Sequence, residues 1–520
     1  MADRYQVIGP PGTGKTTYLK RQVENAAAKL GPSEIMVCSL TRAAAAEIKG
    51  RDLPIPADRV GTLHSFAYRA LGCPTVAESK LKEWNEAHPR FRLSSSKAVR
   101  SPEDDTADEQ GGGEEPGDEL YEAAGIYRHE RRDPIAWRPS VAEFHKAWSG
   151  WLGETGYLDF TGLIETALDQ VPDAPGRPLA MFVDEAQDMS RIEVDLIMKW
   201  GGGCSTLVAV GDGAQALYTW RGADPDAFGD VGDPSHRRVL GQSWRVPSAP
   251  HAAAVRWAGR LLDGVEYLPT KRCGSVDSLS IPLRYGDGIA ELVEQHLAEA
   301  EGTIMVQALC SYMLQPLIKS LREAAIPFHN PLRTSRGDWN PLGARNGTST
   351  KDRLLAFVTD DQDARTLGLW LPMLQAKGVL ARGAKERIKD GQIPDDAGEV
   401  VRLFESQDIA MAAFSGDLSW LAANVSGEYR DRIAYPIRVA RKRGIDALST
   451  EPRVLVGTIH SFKGGEADRV VVAPDLSPAA YAEHLDDLPS VRRAFYVAMT
   501  RTRDRLDILA PSSRRCVDLT

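Results

Sequence analysis

The segment Gly9-Pro10-Pro11-Gly12-Thr13-Gly14-Lys15-Thr16 fits the pattern GxxxxGK[ST], and it lies between a short apolar run, Tyr5–Ile8, and a helical run, Tyr18–Leu30. A loop of this kind works only where a strand ends, the backbone turns and a helix begins. Its N–H groups and the helix N-terminus then converge on phosphate oxygens. It therefore predicts an α/β chain with a parallel sheet. Glycines at 9, 12 and 14 let the backbone approach the phosphates, with Pro10, Pro11, Thr13 and Thr17 completing the cradle. Lys15 neutralises the β/γ charge, and the Thr16 hydroxyl reaches Mg²⁺.

Short apolar runs ending in polar or Gly-rich loops recur in two stretches. Tyr5–Ile8, Ile35–Cys38, Met181–Val183 and Leu207–Val210 form the first; Thr303–Ala308, Val454–Val456 and Val470–Ala473 form the second. Such runs suit strands buried on both faces of a parallel sheet. The expected architecture is two RecA-like P-loop NTPase lobes, each with a mainly helical insertion. Residues 1–72 and 176–236 form the first lobe, and 73–175 its insertion, with an acidic disordered loop at 94–117. The second lobe takes 237–332 and 451–512, its insertion 333–450, and 513–520 is a tail.

Met181-Phe182-Val183-Asp184-Glu185 is an apolar strand ending in two carboxylates. Beside a phosphate loop, that geometry puts Asp184 on the metal and Glu185 next to the attacking water. ATP and Mg²⁺ are the expected cofactors.

A net charge of −9 looks wrong for a nucleic-acid binder until the charges are located. Nine carboxylates, from Glu103 to Glu119, lie between Ser101 and Leu120 with no Lys or Arg among them, and they equal the whole net charge. The rest of the chain is balanced, so basic patches can coexist with it. The six cysteines are scattered without CxxC spacing, which points to reduced thiols rather than a zinc site. No apolar run approaches the ~20 residues of a membrane span, and the N-terminal region lacks the look of a signal peptide; the expectation is a cytoplasmic protein without a membrane partner.

The box Asp184-Glu185-Ala186-Gln187-Asp188 and the segment from Gly211 to Ala223, which contains Gly211-Asp212, Gln215 and Tyr218-Thr219-Trp220-Arg221-Gly222-Ala223, resemble two motifs of the UvrD/Rep/PcrA-like superfamily 1A helicases. Further matches follow in order: Ser39-Leu40-Thr41-Arg42-Ala43, Gly61-Thr62-Leu63-His64-Ser65, Leu240 to Arg245, Val456 to Glu466, and Arg492 to Arg501. The resemblance implies a compact member of that family.

It also implies roles. Lys15, Glu185, Gln215, Arg245 and Arg501 would be catalytic, with Gln215 sensing the γ-phosphate and Arg245 and Arg501 arriving from the second lobe as arginine fingers. Trp244 would stack on the base, while Gly464 and Glu466 line the nucleotide. Thr41, Arg42, Thr62, His64, Tyr218, Trp220, Arg221, Thr458 and His460 would meet the nucleic-acid strand, with Trp220 and Tyr218 as stacking faces.

Two departures stand out. Leu40 and Arg42-Ala43 replace the Phe and Asn-Lys of many relatives, and only eight residues precede Gly9, which leaves no room for the adenine-reading glutamine expected upstream. Relaxed purine selectivity is the expectation.

The implied function is an ATP-dependent DNA helicase moving 3′-to-5′ on single-stranded DNA, acting at single/double-strand junctions as a monomer or weak dimer with a loading or activating protein partner. The alternatives are a single-strand translocase that remodels or strips bound protein, and an NTP-switched binding module. The basic run Arg438, Arg441, Lys442 and Arg443 suits either a grip on duplex DNA or a solvated helix face.

Overall fold

The computed structural model describes residues 2–40, 45, 49–50, 52–94, 115–333, 338–343 and 348–519. Thr41, Arg42 and residues 95–114 of the expected acidic loop lie outside them.

Strands β1 (Asp3–Ile8), β2 (Ile35–Ser39), β3 (Val60–Thr62), β4 (Ala180–Val183), β5 (Thr206–Gly211) and β6 (Arg237–Val239) form one sheet, in the order β3-β2-β4-β5-β1-β6. Strands β7 (Ser275–Pro282), β8 (Ile304–Ala308), β9 (Phe328–His329), β10 (Val454–Thr458), β11 (Ala467–Val472) and β12 (Thr502–Ala510) form a second, ordered β7-β12-β11-β8-β10-β9. Every pairing is parallel. Without β6 and β9 the two orders coincide, with β1, β2, β3, β4 and β5 answering to β7, β8, β10, β11 and β12. The chain is thus an α/β protein with two RecA-like lobes.

Helices on both faces explain the apolar strands. All five residues of β2 and all four of β4 are buried. The strands that the apolar runs do not predict are those with less apolar signal: β3, β6 and β9 are two or three residues long, β7 alternates polar and apolar residues with only Pro282 fully buried, and β12 begins Thr502-Arg503-Asp504-Arg505. Its inner half, Leu506–Leu509, is buried all the same.

Between β3 and β4 runs a helical insertion with its own core, built from Trp84, Trp148, Trp151, Phe144 and Val141. Trp84 and Trp148 meet edge to face with centroids 4.8 Å apart. A polar network threads this core. Arg128 pairs with Asp159 at 2.6 Å and Glu165 at 2.5 Å, and Trp148 Nε1 donates to Asp159 Oδ2 at 2.7 Å. Asp118, at the start of helix Asp118–His129, accepts from the backbone N–H of Ser94 at 2.8 Å and of Glu115 at 3.0 Å, clamping both flanks of the acidic stretch.

The second insertion, between β9 and β10, shares the core of the second lobe through its described residues. Its Trp370, Phe357, Leu403 and Ile433 join Ile304, Val306 and Phe328 of the second sheet in one cluster. The basic run ends helix Gly427–Arg443, and its donors face protein. Arg438 donates to Arg322 O, Lys442 to Ala324 O at 3.0 Å and Arg443 to Ala325 O at 2.5 Å, while Arg441 reaches Ser419 Oγ at 2.8 Å. Three of the four cations thus cap the C-terminal end of helix Gln315–Glu323, where the helix dipole favours positive charge. At the far end of the chain, Val517 and Leu519 are buried in the second lobe. Among the described residues, no helix is long and apolar enough to cross a membrane.

Candidate functional site

The phosphate loop joins β1 to helix Lys15–Leu30. Gly14 caps that helix at φ 82° and Gly12 sits at φ +75°, so both need the left-handed backbone that glycine adopts without strain. Lys15 Nζ donates to Gly9 O at 2.7 Å, and a Cβ at Gly9 would stand 2.3 Å from Lys15 Cγ. Burial lowers the Lys15 pKa, opposed by Glu185, Asp212 and Asp184 around it. An ammonium so placed is ready for an anion.

Second-lobe residues lie directly on this loop. Trp244 N donates to Gly12 O at 2.8 Å; Ser243 Oγ and Tyr267 Oη donate to Pro11 O at 3.0 and 3.1 Å. The indole of Trp244 stays 76% exposed beside the loop, open on a face a purine could cover.

At the end of β4, Asp184 is buried and Glu185 turns into the left-handed region at φ 53°. Burial would raise the Glu185 pKa, but Lys463 and Lys15 hold it down to about 2. Lys463 comes from the second lobe, 3.6 Å from Glu185 and bonded to Asp188. Burial pushes Asp188 the other way, up to about 6, with Glu185 adding to the rise and Lys463 opposing it.

From there a chain of hydrogen bonds crosses between lobes. Gln187 Nε2 donates to Glu185 Oε2 at 2.5 Å, and its Oε1 accepts from Asp212 N at 2.9 Å. Gln215 Nε2 donates to Asp212 Oδ2 at 2.7 Å, and Arg501 Nη2 donates to Gln215 Oε1 at 3.1 Å. Arg501 is 2% exposed, and burial together with neighbouring Arg245 depresses its pKa to about 9. Arg245 lies 3.5 Å from Glu466, and both guanidiniums donate to Gly465 O, next to Gly464 at φ +85°. Two crowded cations at the mouth of a phosphate loop are a receptor for polyanion.

The residues expected to meet nucleic acid divide into two layers. Trp220 is 46% exposed, and Arg221 lies 5.8 Å over its ring; His460 is half-buried with its ring 6.4 Å from that of Tyr218. Tyr218, Thr62, His64 and Thr458 are buried beneath them. Tyr218 has Arg221 at 5.4 Å and Lys463 at 5.1 Å over its ring, so it supports the surface instead of offering a stacking face. Thr62 and Thr458 accept from the N–H of Ser65 and Ser461, at 3.1 and 3.2 Å, and their carbonyls take the serine hydroxyls at 2.8 Å in both. The segments Gly61-Thr62-Leu63-His64-Ser65 and Gly457-Thr458-Ile459-His460-Ser461 are thus one structure used twice, at the ends of corresponding strands β3 and β10.

Gln187, Asp188 and Asp212, together with Ser243 in the span Leu240 to Arg245 and Lys463 in the span Val456 to Glu466, lie within motifs that alone give them no task. Tyr267 carried no local signal, because Pro11, its partner, is 256 residues away.

Residues 2–221 match the family model described as an AAA domain, and residues 453–509 match the UvrD-like helicase C-terminal domain. A Bacillus subtilis protein named "Putative ATP-dependent DNA helicase YjcD" is 22% identical over 244 residues, covering 42% of this chain and 31% of that protein. The RecBCD enzyme subunit RecB of Mycolicibacterium smegmatis is 35% identical over 108 residues, covering 19% of this chain and 10% of that subunit. The chain therefore spans less than a third of the length of either curated relative.

Proposed function

We propose that this chain, which belongs to the UvrD-like helicases of superfamily 1, hydrolyses ATP between its two lobes to move 3′-to-5′ along single-stranded DNA and unwind duplex at single/double-strand junctions. The observation that carries the proposal is the bonded chain from Glu185 through Gln187, Asp212 and Gln215 to Arg501, which makes the site a shared product of both lobes. Chemistry that requires Arg501 depends on closing the cleft, so each turnover is tied to a lobe movement.

In the proposed reaction a water oxygen bonds to the γ-phosphorus as the bond to the ADP oxygen breaks. Ionised Glu185 takes the water's proton, Gln215 orients the water, and Lys15, Arg245 and Arg501 stabilise the spreading negative charge. A guanidinium finger of this kind contributes ~10³–10⁵ in rate in other NTPases.

Among the described residues, no group of three or more His, Cys, Asp or Glu side chains is arranged to hold a metal. Thr16, in the first turn of helix Lys15–Leu30, and buried Asp184 are the residues that would hold Mg²⁺, an ion that takes few protein ligands. When bound it supplies charge neutralisation at the β- and γ-oxygens.

Exposed Trp220, with Arg221 and His460, forms the surface for the strand; stacking on an indole holds any base without reading sequence. The two related turns at Thr62 and Thr458, one on each lobe, lie beneath that surface and support it. The proposal takes the motor lobes as 1–72 with 176–236 and 237–332 with 451–512. The direction of travel rests on the Tyr218-Thr219-Trp220-Arg221-Gly222-Ala223 form of its motif.

Unwinding of 3′-tailed and 5′-tailed duplexes by the purified chain tests the proposal. Unwinding from the 3′ tail alone is expected. Preference for the 5′ tail would overturn the polarity, and DNA-stimulated turnover without strand separation would favour a translocase that strips bound protein.

A further inference from the structure

Helix Asp118–His129 of the first insertion ends against the loop that carries Trp220, and two independent features mark that junction. The first is steric. Gly222 sits at φ +87°, and a Cβ there would lie 2.8 Å from His129 Cβ and 3.6 Å from Ile126 O. The loop and the helix end approach as closely as backbone without a side chain allows. The loop is also tied on its other side, by the antiparallel bridge Ser190–Ala223 and by Asp224 N donating to Met189 O at 2.9 Å.

The second feature is a polar relay. His129 is 7% exposed, with Nδ1 2.8 Å from Ser190 Oγ and Nε2 3.3 Å from Thr161 Oγ1. Burial, with Arg128 and Arg221 nearby, keeps its pKa down at about 3, so the ring is neutral. Ser190 Oγ gives its single proton to Glu193 Oε2 at 2.8 Å, so it can only accept from His129. That fixes the tautomer: Nδ1–H donates to Ser190, and Nε2 accepts from Thr161. Glu193 also accepts from Ser190 N at 2.8 Å, closing the capping box of helix Arg191–Gly202, and its Oε1 lies 3.8 Å from His64 Nδ1. One imidazole therefore bonds the insertion to the cap beneath His64 while its own Cβ braces the Trp220 loop.

We propose that His129 is a positioning residue for the strand surface: it holds the Tyr218–Gly222 loop, and through Ser190 and Glu193 the His64 turn, in the arrangement that accepts single-stranded DNA. This makes the first insertion part of the strand-binding device, although His129 touches neither strand nor nucleotide. The inference rests on the reading that Trp220 faces the strand.

The test uses the full chain and oligo-dT as the probe. ATP turnover is measured across DNA concentrations for wild type, His129→Ala, His129→Asn and Trp220→Ala, with melting temperatures alongside. Removing the two hydrogen bonds in His129→Ala should raise the half-saturating DNA concentration about tenfold and leave DNA-free turnover within about twofold of wild type. Asn places a donor where Nδ1 stood, so His129→Asn should recover most of the loss. Should His129→Ala fail to fold, Ser190→Ala removes the same bond from its other end and is expected to shift half-saturation in the same direction.

If Trp220→Ala shifts half-saturation and a folded His129→Ala does not, the positioning role is wrong while the strand reading stands. If Trp220→Ala shifts nothing, the strand reading itself fails. A proportional fall in DNA-free and DNA-stimulated turnover, with half-saturation unchanged, would show that His129 only maintains the fold and would overturn the proposal.

Discussion

Gly12→Ala is the substitution for which the structure yields the sharpest expectation, because the space a methyl group needs is occupied by the opposite lobe. The added Cβ would stand 2.6 Å from Arg245 Cβ and 2.7 Å from Ser243 Oγ. Carbon atoms rest at about 3.5–4.0 Å, so the contact must open by roughly 1 Å. Arg245 Cβ is tied to its backbone, so no rotamer change relieves it. Opening breaks three bonds onto the loop: Trp244 N to Gly12 O, and Ser243 Oγ and Tyr267 Oη to Pro11 O. At ~0.5–1.5 kcal/mol each these amount to about 1.5–4.5 kcal/mol. Holding alanine at φ +75° costs roughly 1–2 kcal/mol with the lobes open or closed alike, so it lowers stability without adding to the cost of closure. About 1.5–4.5 kcal/mol against the closed arrangement corresponds to a loss of about 10- to 2,000-fold in kcat. The first-lobe cradle and Lys15 remain, so nucleotide affinity should change by less than about tenfold. DNA-stimulated turnover gives kcat, and a fluorescent nucleotide gives Kd. Ser243→Ala, which removes one of the three bonds without a clash, should lower kcat only about 2- to 12-fold. A folded Gly12→Ala protein with kcat within tenfold of wild type, or one that loses affinity while keeping kcat, would refute the lobe-contact reasoning.

Three further outcomes are expected. Lys15→Ala and Glu185→Gln should each lower turnover at least about 100-fold, one by removing phosphate neutralisation and the other the base; steady-state hydrolysis measures both. Trp244→Ala should raise KM about 5- to 150-fold, and similarly for ATP and GTP, since stacking contributes ~1–3 kcal/mol to either purine. Its melting temperature should stay put because the indole is 76% exposed, so lost stability with unchanged KM would mean that it packs instead. The last outcome concerns pH. Burial and facing Asp159 raise Glu78 to about 8, against bonds from Tyr121 and Phe160 N that favour its ionised form. A carboxyl whose folded value exceeds its unfolded value binds its proton more tightly in the native state. Stability from this group is therefore present at low pH and declines as pH rises from about 4.5 to about 8, by at most ~1.4 kcal/mol per pH unit. Urea unfolding across that window should show the decline in wild type and a flatter profile in Glu78→Gln; identical profiles would count against it.

Local order along the chain was enough to determine the two parallel sheets and the family. A phosphate loop, a strand ending in Asp184-Glu185 and short apolar runs are all properties of a few consecutive residues, and buried parallel strands must be apolar on both faces. The repeat of Gly-Thr-x-His-Ser was also present in the sequence, at residues 61 and 457, but it became interpretable only once β3 and β10 proved to hold the same place in their sheets. What the tertiary structure decided was which way side chains spend their bonding capacity. Arg438, Lys442 and Arg443 have the composition of a nucleic-acid patch, yet their donors end on carbonyls of residues 322–325, more than a hundred positions upstream. Tyr218 and Trp220 are near neighbours in one motif, yet one is 2% exposed and the other 46%. Tyr267 and His129 have no motif at all, and they matter because Pro11 and Gly222 come to lie against them. Burial and hydrogen-bond partnership are set by contacts between segments far apart in the chain, and no window of consecutive residues contains both partners.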